Sequence, residues 1–356
     1  MWQRLKNTDF IIKLSSWEYW PVYITNIPTI LFWLYFSAKS RHPFFFSTVN
    51  PEIETGGVFG ESKIHILSKF RPDAIPKTLF FQASDTSMSG VTSRMAEEKI
   101  SFPVVLKPNV GERGFMVEKI GGAAELEKYL TNANVDFILQ EYVDFPLELS
   151  VLYHRFPKSN QGKITSICIK QNLKVRGDGV STVEKLIQSK PRAKLQLKRF
   201  RKSKNGLLNM VPEFGEDVLL EPIGNHCRGT MFLNGNDFIS QKLTDTFDRL
   251  AQSLEGIYYG RFDMKCNSFE QLETGTGYRI LEFNGVASEP AHIYDPSYSV
   301  LKGYRDIFQH WKIIYSIGKI QAKAGVLPMT PKKFYLSLRR YFRYMKLARR
   351  HWQHFS

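Results

Sequence analysis

Two short segments, RFDMK at 261–265 and ILEFNG at 280–285, decide the fold prediction. Both alternate polar and apolar residues, which is the period of a β-strand with one buried face. The first segment gathers Arg261, Asp263 and Lys265 on one face, and the second gathers Glu282 and Asn284. The sequence therefore predicts two strands that each present a cluster of polar side chains on a single face.

A glycine-containing hairpin is predicted upstream of these strands. The apolar run 102–106 indicates a strand that ends on Lys107, and residues 116–120 can return as its partner. Gly111 and Gly114 lie between them, where glycine lets the backbone turn and present N–H groups to phosphate oxygens. Taken alone, this pattern is as typical of an ordinary turn as of a phosphate-binding loop.

Strands and short helices alternate through the middle of the chain. Residues 123–130 are predicted as a helix, 137–140 as a buried strand, and 147–154 as a strand that contains Glu148. A Gly-Asp-Gly turn at 177–179 precedes a helix that begins at Val183 behind capping hydroxyls.

The order of these motifs resembles that of the ATP-grasp superfamily over residues 61–297, particularly the branch of D-alanine–D-alanine ligases and cyanophycin synthetases. The matching pieces are LKP (106–108), the glycine hairpin (111–114), QEYV (140–143), Glu148, RGDGVSTVEKLI (176–187), GNHCRGT (224–230), RFD (261–263) and LEFNG (281–285). The resemblance implies an α+β fold, the ATP-grasp fold, in which two α/β subdomains clasp ATP. It places an ATP-grasp domain at 61–330, with a glycine-hairpin lid subdomain at about 103–172 and a metal-binding subdomain at about 173–300.

The resemblance also implies a metal and acyl-transfer centre. Asp263, Glu282 and Asn284 are expected to supply oxygens to two Mg²⁺ ions, with Mn²⁺ as a substitute and Glu282 bridging both. Arg261 is expected to clamp an acyl-phosphate or its tetrahedral successor. The alternative is that these are surface positions on alternating strands.

A nucleotide site follows from the same resemblance. The hairpin glycines Gly111 and Gly114 and the Lys107 ammonium are expected at the phosphates, and Glu148 at the ribose hydroxyls. The hinge that reads adenine is expected to be Glu141, Tyr142 and Val143. Three further assignments stay open: Lys170 and Lys63 as phosphate contacts or bystanders, and Arg228 as the ligand of a substrate carboxylate or as half of a structural ion pair.

The activity implied is an ATP- and Mg-dependent carboxylate–amine ligase with small-molecule substrates and an acyl-phosphate intermediate. Two rivals stay open, a phosphotransferase that acts on a hydroxyl and a nucleotide-binding module without turnover. Two departures from the family put the substrate in doubt. An aromatic-rich segment, 1–60, stands where relatives carry a flavodoxin-like domain, and the basic stretch 190–204 lies next to the expected acceptor side.

The net charge of +15 is concentrated in two places. Residues 190–204 and residues 331–356 each hold eight Lys or Arg and no acid, so the rest of the 356-residue chain is close to neutral. No recognition-helix motif accompanies these runs, which argues against a nucleic-acid partner. The three cysteines are widely spaced, which argues against a disulfide framework and fits a reducing, cytoplasmic compartment.

Both ends of the chain suggest a membrane surface. Residues 19–38 are uncharged, but Pro21 and Pro28 disfavour a plain spanning helix, so an interfacial segment is predicted, with a single span and docking on the core as alternatives. The tail 331–356 carries an apolar stripe at helical spacing among basic residues: Phe334, Leu338, Tyr341, Met345, Ala348 and Trp352. The prediction is a peripheral protein on the anionic inner face of the membrane; the alternative is a tail helix packed on the domain.

Overall fold

The computed structural model describes residues 17–84, 87–112, 114–203 and 205–352. Arg113 of the predicted glycine hairpin, Lys204 of the basic stretch and residues 353–356 of the tail lie outside the described residues. The strands are β1 (Thr78–Phe81), β2 (Val104–Pro108), β3 (Glu118–Ile120), β4 (Phe137–Glu141), β5 (Leu147–Arg155), β6 (Gly162–Gln171), β7 (Lys174–Arg176), β8 (Asp217–Leu219), β9 (Met231–Asn234), β10 (Tyr259–Cys266) and β11 (Tyr278–Asn284). The α-helices are α1 (Val22–Ser40), α2 (Lys63–Leu67), α3 (Met88–Glu97), α4 (Ala123–Asn132), α5 (Val183–Ser189), α6 (Pro191–Lys194), α7 (Leu197–Ser203), α8 (Asn205–Leu208), α9 (Gln241–Gln252), α10 (Phe269–Thr274), α11 (Val300–Lys323) and α12 (Pro331–Trp352).

The first sheet has four antiparallel strands in the order β1-β4-β2-β3. Its core is closed by apolar residues of α3 and α4, including Val91, Leu126 and Tyr129, which are almost fully buried. β2 and β3 flank the glycine hairpin, so the sheet carries that loop at one end.

The second sheet has five antiparallel strands in the order β11-β10-β5-β6-β9. One face packs on α9 through Leu243 and Phe247. The sequence of α9 is strongly amphipathic, so the helix has one apolar side. The predicted strands 261–265 and 280–285 are confirmed as β10 and β11, which pair directly. The α+β class, with separate antiparallel sheets and helices on them, is confirmed.

The sheets do not divide the chain at the expected boundary of residue 172. β5 and β6 hydrogen-bond to β10 and therefore belong with the strands that carry Asp263, not with the glycine hairpin. Residues 173–220 instead form a small separate core from the β7–β8 ribbon and short helices, with Phe200 and Val183 fully buried in it. The basic stretch 190–204 belongs to this helical unit.

The N-terminal segment packs on the second sheet. Asn50 is buried and ties it to β10: its carboxamide donates to the Tyr259 carbonyl (2.8 Å) and accepts from the Tyr258 backbone N–H (2.8 Å). α1 lies along α11, where Phe36 packs among Phe308 and Tyr315. α1 continues through Pro28, whose ring removes one helical N–H donor. None of the described helices is both long and apolar enough to cross a bilayer.

The opposite face of α1 is apolar and exposed. Residues at helical spacing share this face and are about half exposed or more: Tyr23, Ile27, Ile30, Leu31, Leu34 and Tyr35. One side of α1 therefore packs on the core, as one of the alternatives for this segment has it, and the other side does not.

The tail forms α12, and its predicted apolar stripe turns inward. Phe334 stacks on Phe44, while Met345 and Ala348 are buried, the latter in the core of the first sheet. The tail thus matches the alternative of a helix packed on the domain, because the stripe supplies contacts that the core needs. Its eight Lys and Arg residues are all exposed.

Candidate functional site

A cavity of about 470 Å³ opens between the two large sheets. The first sheet contributes Lys107 and Gln140, and the second contributes Glu148, Lys170 and Asp263. The sheets meet across it where the Lys107 ammonium donates to Gln140 Oε1 and to the Leu281 carbonyl, both at 3.0 Å. Every residue predicted for nucleotide, metal or acyl chemistry lines this cavity except Arg228.

β10 and β11 bring the predicted metal ligands together. In their register Asp263 lies opposite Glu282, and Arg261 lies opposite Asn284. The Asn284 amide donates to Asp263 Oδ2 (3.1 Å), and Ser150 donates to Asp263 Oδ1 (2.5 Å). Arg261 holds Asp263 through two bonds of 3.1 Å, from Nε to Oδ1 and from Nη2 to Oδ2.

Three lysines, Lys63, Lys107 and Lys170, lie around the carboxylates of Asp263 and Glu282. Lys63 lies 2.9 Å from Glu282 and donates to the Gly111 carbonyl (2.5 Å). Lys170 bridges Glu148 (3.2 Å) and Asp263 (3.7 Å). Lys63 and Lys170 both line the cavity, and their role as phosphate contacts stays a prediction.

Burial and neighbouring charge set the ionisation of the cluster. Burial raises the pKa of Asp263, but Arg261 and Lys170 outweigh it and the pKa lies far below its usual range. The pKa of Glu282 is likewise lowered, because Lys63 and Lys107 outweigh its burial. Burial lowers the pKa of Lys107 to about 8. Both carboxylates are thus anionic at neutral pH.

The donor set fits a hard cation. Asp263, Glu282 and Asn284 offer oxygens from facing strand positions, and oxygen is the donor that Mg²⁺ requires. Four cations, Lys63, Lys107, Lys170 and Arg261, lie around the carboxylates of Asp263, Glu282 and Glu148, and this concentration of positive charge suits a polyphosphate. Within the described ranges no cluster of three His, Cys, Asp or Glu side chains could hold a metal by itself. Phosphate oxygens are therefore expected to complete the coordination.

The predicted adenine hinge lies at the end of β4. The Lys265 ammonium donates to the Val143 carbonyl (3.0 Å), which occupies that acceptor. The Tyr142 ring lies against the Lys119 and Lys265 ammonium groups, at 3.8 and 5.0 Å from its centroid. In the described chain no acceptor is bonded to the Val143 N–H, which leaves it available to a base nitrogen. Glu141 is exposed at the strand end.

Glu148 and Gly224 are fitted to each other. The Glu148 carboxylate is buried beside Lys170, and a Cβ atom at Gly224 would lie 2.0 Å from Glu148 Oε1. Glycine at 224 is thus required for the predicted ribose ligand to hold its place. This explains one residue of the GNHCRGT motif in physical terms.

The glycine hairpin is held from two sides. Gly114 has a positive φ of 68°, and its carbonyl accepts from Arg228 Nη2 (3.0 Å). On the other side, Tyr341 of α12 donates to Glu112 (2.6 Å), and the Tyr344 hydroxyl accepts from the Val110 N–H (3.4 Å). Both neighbours therefore restrain the loop that is expected over the phosphates.

Arg228 does not line the cavity. Its guanidinium pairs with Glu118 (3.3 Å) and Glu221 (3.8 Å), so the alternative of a structural ion pair describes it better than a substrate-carboxylate ligand. Two carboxylates, Glu118 and Glu221, are within ion-pair distance of Arg228, and Glu221 also binds a second cation, Arg199 (2.7 Å).

The N-terminal segment supplies a wall that sequence reasoning missed. Glu18 is almost fully buried and binds Arg192 (2.5 Å) and His226 (2.6 Å), which joins the segment to the basic stretch. Trp17, Glu18 and Trp20 line the cavity beyond Arg261. Glu289 and Tyr294, which follow β11, complete this end. In the sequence, the one indication of this wall was that Glu289 lies five residues after the predicted metal ligand Asn284.

Comparison with known proteins gives structural similarities only. No family model matches the chain, and no curated protein does. Solved structures similar to it include a bifunctional glutathione synthetase from Pasteurella multocida, with 16% identity over 70% of this chain and 34% of that one, and a TM-score of 0.36. The D-alanine–D-alanine ligase from Bacillus anthracis has 13% identity over 76% and 71% of the two chains, and a TM-score of 0.42.

The ATP-grasp ligase PsnB, solved with Mg and ADP, has 14% identity over 76% of this chain and 61% of its own, and a TM-score of 0.39. These similarities are weak, and this chain spans only about a third of the glutathione synthetase and 61% of PsnB. At TM-scores below 0.5 they establish no activity, so the function rests on the geometry of the site.

Proposed function

We propose that the protein is an ATP- and Mg-dependent ligase that joins a carboxylate to an amine through an acyl-phosphate. The main support is the arrangement of Asp263, Glu282 and Asn284 beside Arg261, with three lysines close to them. These side chains offer oxygens for a hard cation, cations for a polyphosphate and a planar guanidinium for an oxyanion, all in one cavity.

Each residue has a defined part in this reaction. Lys107, Lys63 and Lys170 would hold and neutralise the nucleotide phosphates while a substrate carboxylate oxygen attacks the γ-phosphorus and ADP leaves. Arg261 would then stabilise the negative oxygen that develops when the nucleophile attacks the acyl carbon. Asp263, Glu282 and Asn284 would hold two Mg²⁺ ions, which when bound neutralise phosphate charge.

The discriminating experiment is a product survey. The protein is incubated with ATP, Mg²⁺ and a pool of small carboxylates, amines and alcohols, and products are followed by phosphorus NMR and mass spectrometry. A ligase gives amides and inorganic phosphate, and heavy oxygen from a labelled carboxylate appears in that phosphate. Phosphoester products would support the phosphotransferase rival, and ATP binding without any product would support the module without turnover. Glu282→Gln is the matched control for background phosphatase.

We also propose that the protein associates peripherally with an anionic membrane on the cytoplasmic side. Support comes from the exposed apolar face of α1 and from the exposed basic side chains of α12, a helix without acidic residues. Apolar area and cations together are what an anionic bilayer attracts. Vesicle flotation tests this proposal.

A further inference from the structure

The end of the cavity beyond Arg261 has a different chemistry from the phosphate end. Its walls are Trp17 and Trp20 of the N-terminal segment, Phe232 of β9, and Glu289 and Tyr294 from the loop after β11. Arg261 borders this end, since its charge acts on the Tyr294 phenol, and Lys170 is the cross-strand neighbour of Phe232. A nucleophile on its way to the acyl carbon would occupy this end, so the inference rests on the proposed function.

Glu289 is the uncompensated charge of this end. Its carboxylate accepts one hydrogen bond, from the Tyr294 hydroxyl (2.5 Å), and no Lys, Arg or His in the described part of the chain pairs with it. Glu18, the other acid here, is bound by Arg192 and His226. Arg261 bonds Asp263 through Nε and Nη2, and among the described residues no ion pair joins it to Glu289. A half-buried carboxylate without a cation is costly unless a ligand supplies one.

The aromatic groups beside Glu289 suit the same ligand. Trp17 stacks on Tyr294 with ring centroids 5.0 Å apart, and burial together with Glu289 raises the pKa of Tyr294 well above its usual value, which keeps the phenol protonated. The Trp17 indole N–H is buried and has no hydrogen-bond partner among the described residues. Aromatic faces next to a carboxylate attract ammonium groups and flat apolar bodies.

We propose that this end binds the nucleophile as an ammonium on an apolar body, and that Glu289 is its counter-ion and proton acceptor. Glu289 takes one proton from the ammonium, and the freed nitrogen lone pair forms the C–N bond. The C–O bond to the phosphoryl group breaks and its electron pair leaves with phosphate, which takes the second proton from nitrogen. The products are an amide and hydrogen phosphate.

The test uses three probes of one shape and different charge: 2-phenylethylamine, 2-phenylethanol and 3-phenylpropionate. Binding to the full chain is measured by calorimetry with Mg²⁺ and a non-hydrolysable ATP analogue. The amine should bind about tenfold or more tightly than either other probe, since a charge-assisted bond is lost in both. Glu289→Gln should abolish that preference, Glu289→Asp should keep part of it, and the exposed control Glu255→Gln should leave it unchanged.

The proposal is overturned if the wild-type protein binds the three probes equally, prefers the acid or binds none of them. It is also overturned if Glu289→Gln keeps the amine preference. The wild-type charge series decides the question even if that variant fails to fold. Binding of the ATP analogue in the same cell separates the two hypotheses: analogue binding without amine preference removes only this inference, whereas no analogue binding removes the proposed ligase.

Discussion

Glu282 is the residue on which metal binding and catalysis depend together in the proposed site. Its carboxylate faces Asp263 across the β10–β11 pair and now holds Lys63 at 2.9 Å. Replacing it with Ala would also strand the buried Lys63 ammonium, so Gln is the cleaner change. Glu282→Gln should lower turnover about a hundredfold or more, because one charged ligand is lost, and should keep the melting temperature near that of wild type. Steady-state ATP consumption and thermal unfolding measure both. Near-normal ATP consumption would show that β11 carries no metal ligand.

In the proposed site, Lys107 is expected to make nucleotide affinity depend on pH. Its pKa of about 8 in the free protein comes from burial, so the ammonium is charged below pH 8 and loses its proton above it. Phosphate favours the charged form, so ATP affinity should be constant below pH 8 and fall by up to about tenfold per pH unit above it. Lys107→Arg stays charged and should flatten the profile, while Lys107→Met should bind weakly at every pH. Calorimetric titrations from pH 6.5 to 9.5 decide this, and an unchanged profile in Lys107→Met would remove Lys107 from the site.

At the scale of elements, the turn that contains Gly56 and Gly57 is fixed to the end of β11. The Val286 N–H donates to the Gly56 carbonyl (3.1 Å), and the Ala287 N–H donates to the Gly57 carbonyl (3.0 Å). A Cβ atom at Gly285 would lie 2.6 Å from the Gly56 carbonyl oxygen and 2.7 Å from Gly57 Cα. This contact is between backbones, so neither partner can move aside as a side chain would.

Gly285→Ala should therefore destabilise the fold by about 1–3 kcal/mol, the usual cost of overpacking a rigid contact. It should also weaken nucleotide binding, because Lys63 follows the same turn. Gly122→Ala is the matched control, since a Cβ there meets nothing within 4 Å and its φ of −172° suits any residue. Denaturant unfolding of both variants checks the difference. Equal stabilities would mean that the turn can leave β11 without cost.

The elements show what could be predicted from sequence and what could not. Strands β10 and β11 were predictable because alternation reports a buried face directly. The ion pairs of Arg228 were not predictable, because Glu118 is 110 residues away in sequence and only the fold brings it to the guanidinium. Trp17 and Glu18 belong to the aromatic-rich segment 1–60, for which the sequence indicated no site residue, and only the fold brings them to the cavity. The roles of the residues lining that cavity stay predictions.

At the scale of the whole molecule, α12 joins the N-terminal segment to the first sheet and to the glycine hairpin. Ser337 donates to Glu54 (2.9 Å), Tyr341 to Glu112 (2.6 Å) and Tyr344 to the Asp136 carbonyl (3.1 Å). Deleting the tail would remove all these contacts together with its cations. A deletion therefore cannot separate membrane binding from folding, and a test must change only the outward surfaces.

Two surface variants make that separation. One replaces exposed cations of α12 with Gln (Lys332, Lys333, Arg343 and Lys346), and the other replaces Ile27 and Leu31 of α1 with Ser; none of these side chains is buried. Wild-type protein should float with anionic vesicles, and this binding should weaken as salt screens the charges over about 8–10 Å. The cation variant should lose most anionic binding and its salt dependence, at about 1 kcal/mol for each cation near the surface. The α1 variant should lose binding to neutral vesicles, because only apolar contacts hold the protein on a membrane without charge.

Vesicle flotation at two salt concentrations and two lipid compositions measures both effects, and thermal unfolding is the control for the fold. If wild-type protein stays in the soluble fraction under all four conditions, the exposed face of α1 has another partner, and the basic face of α12 serves solubility alone.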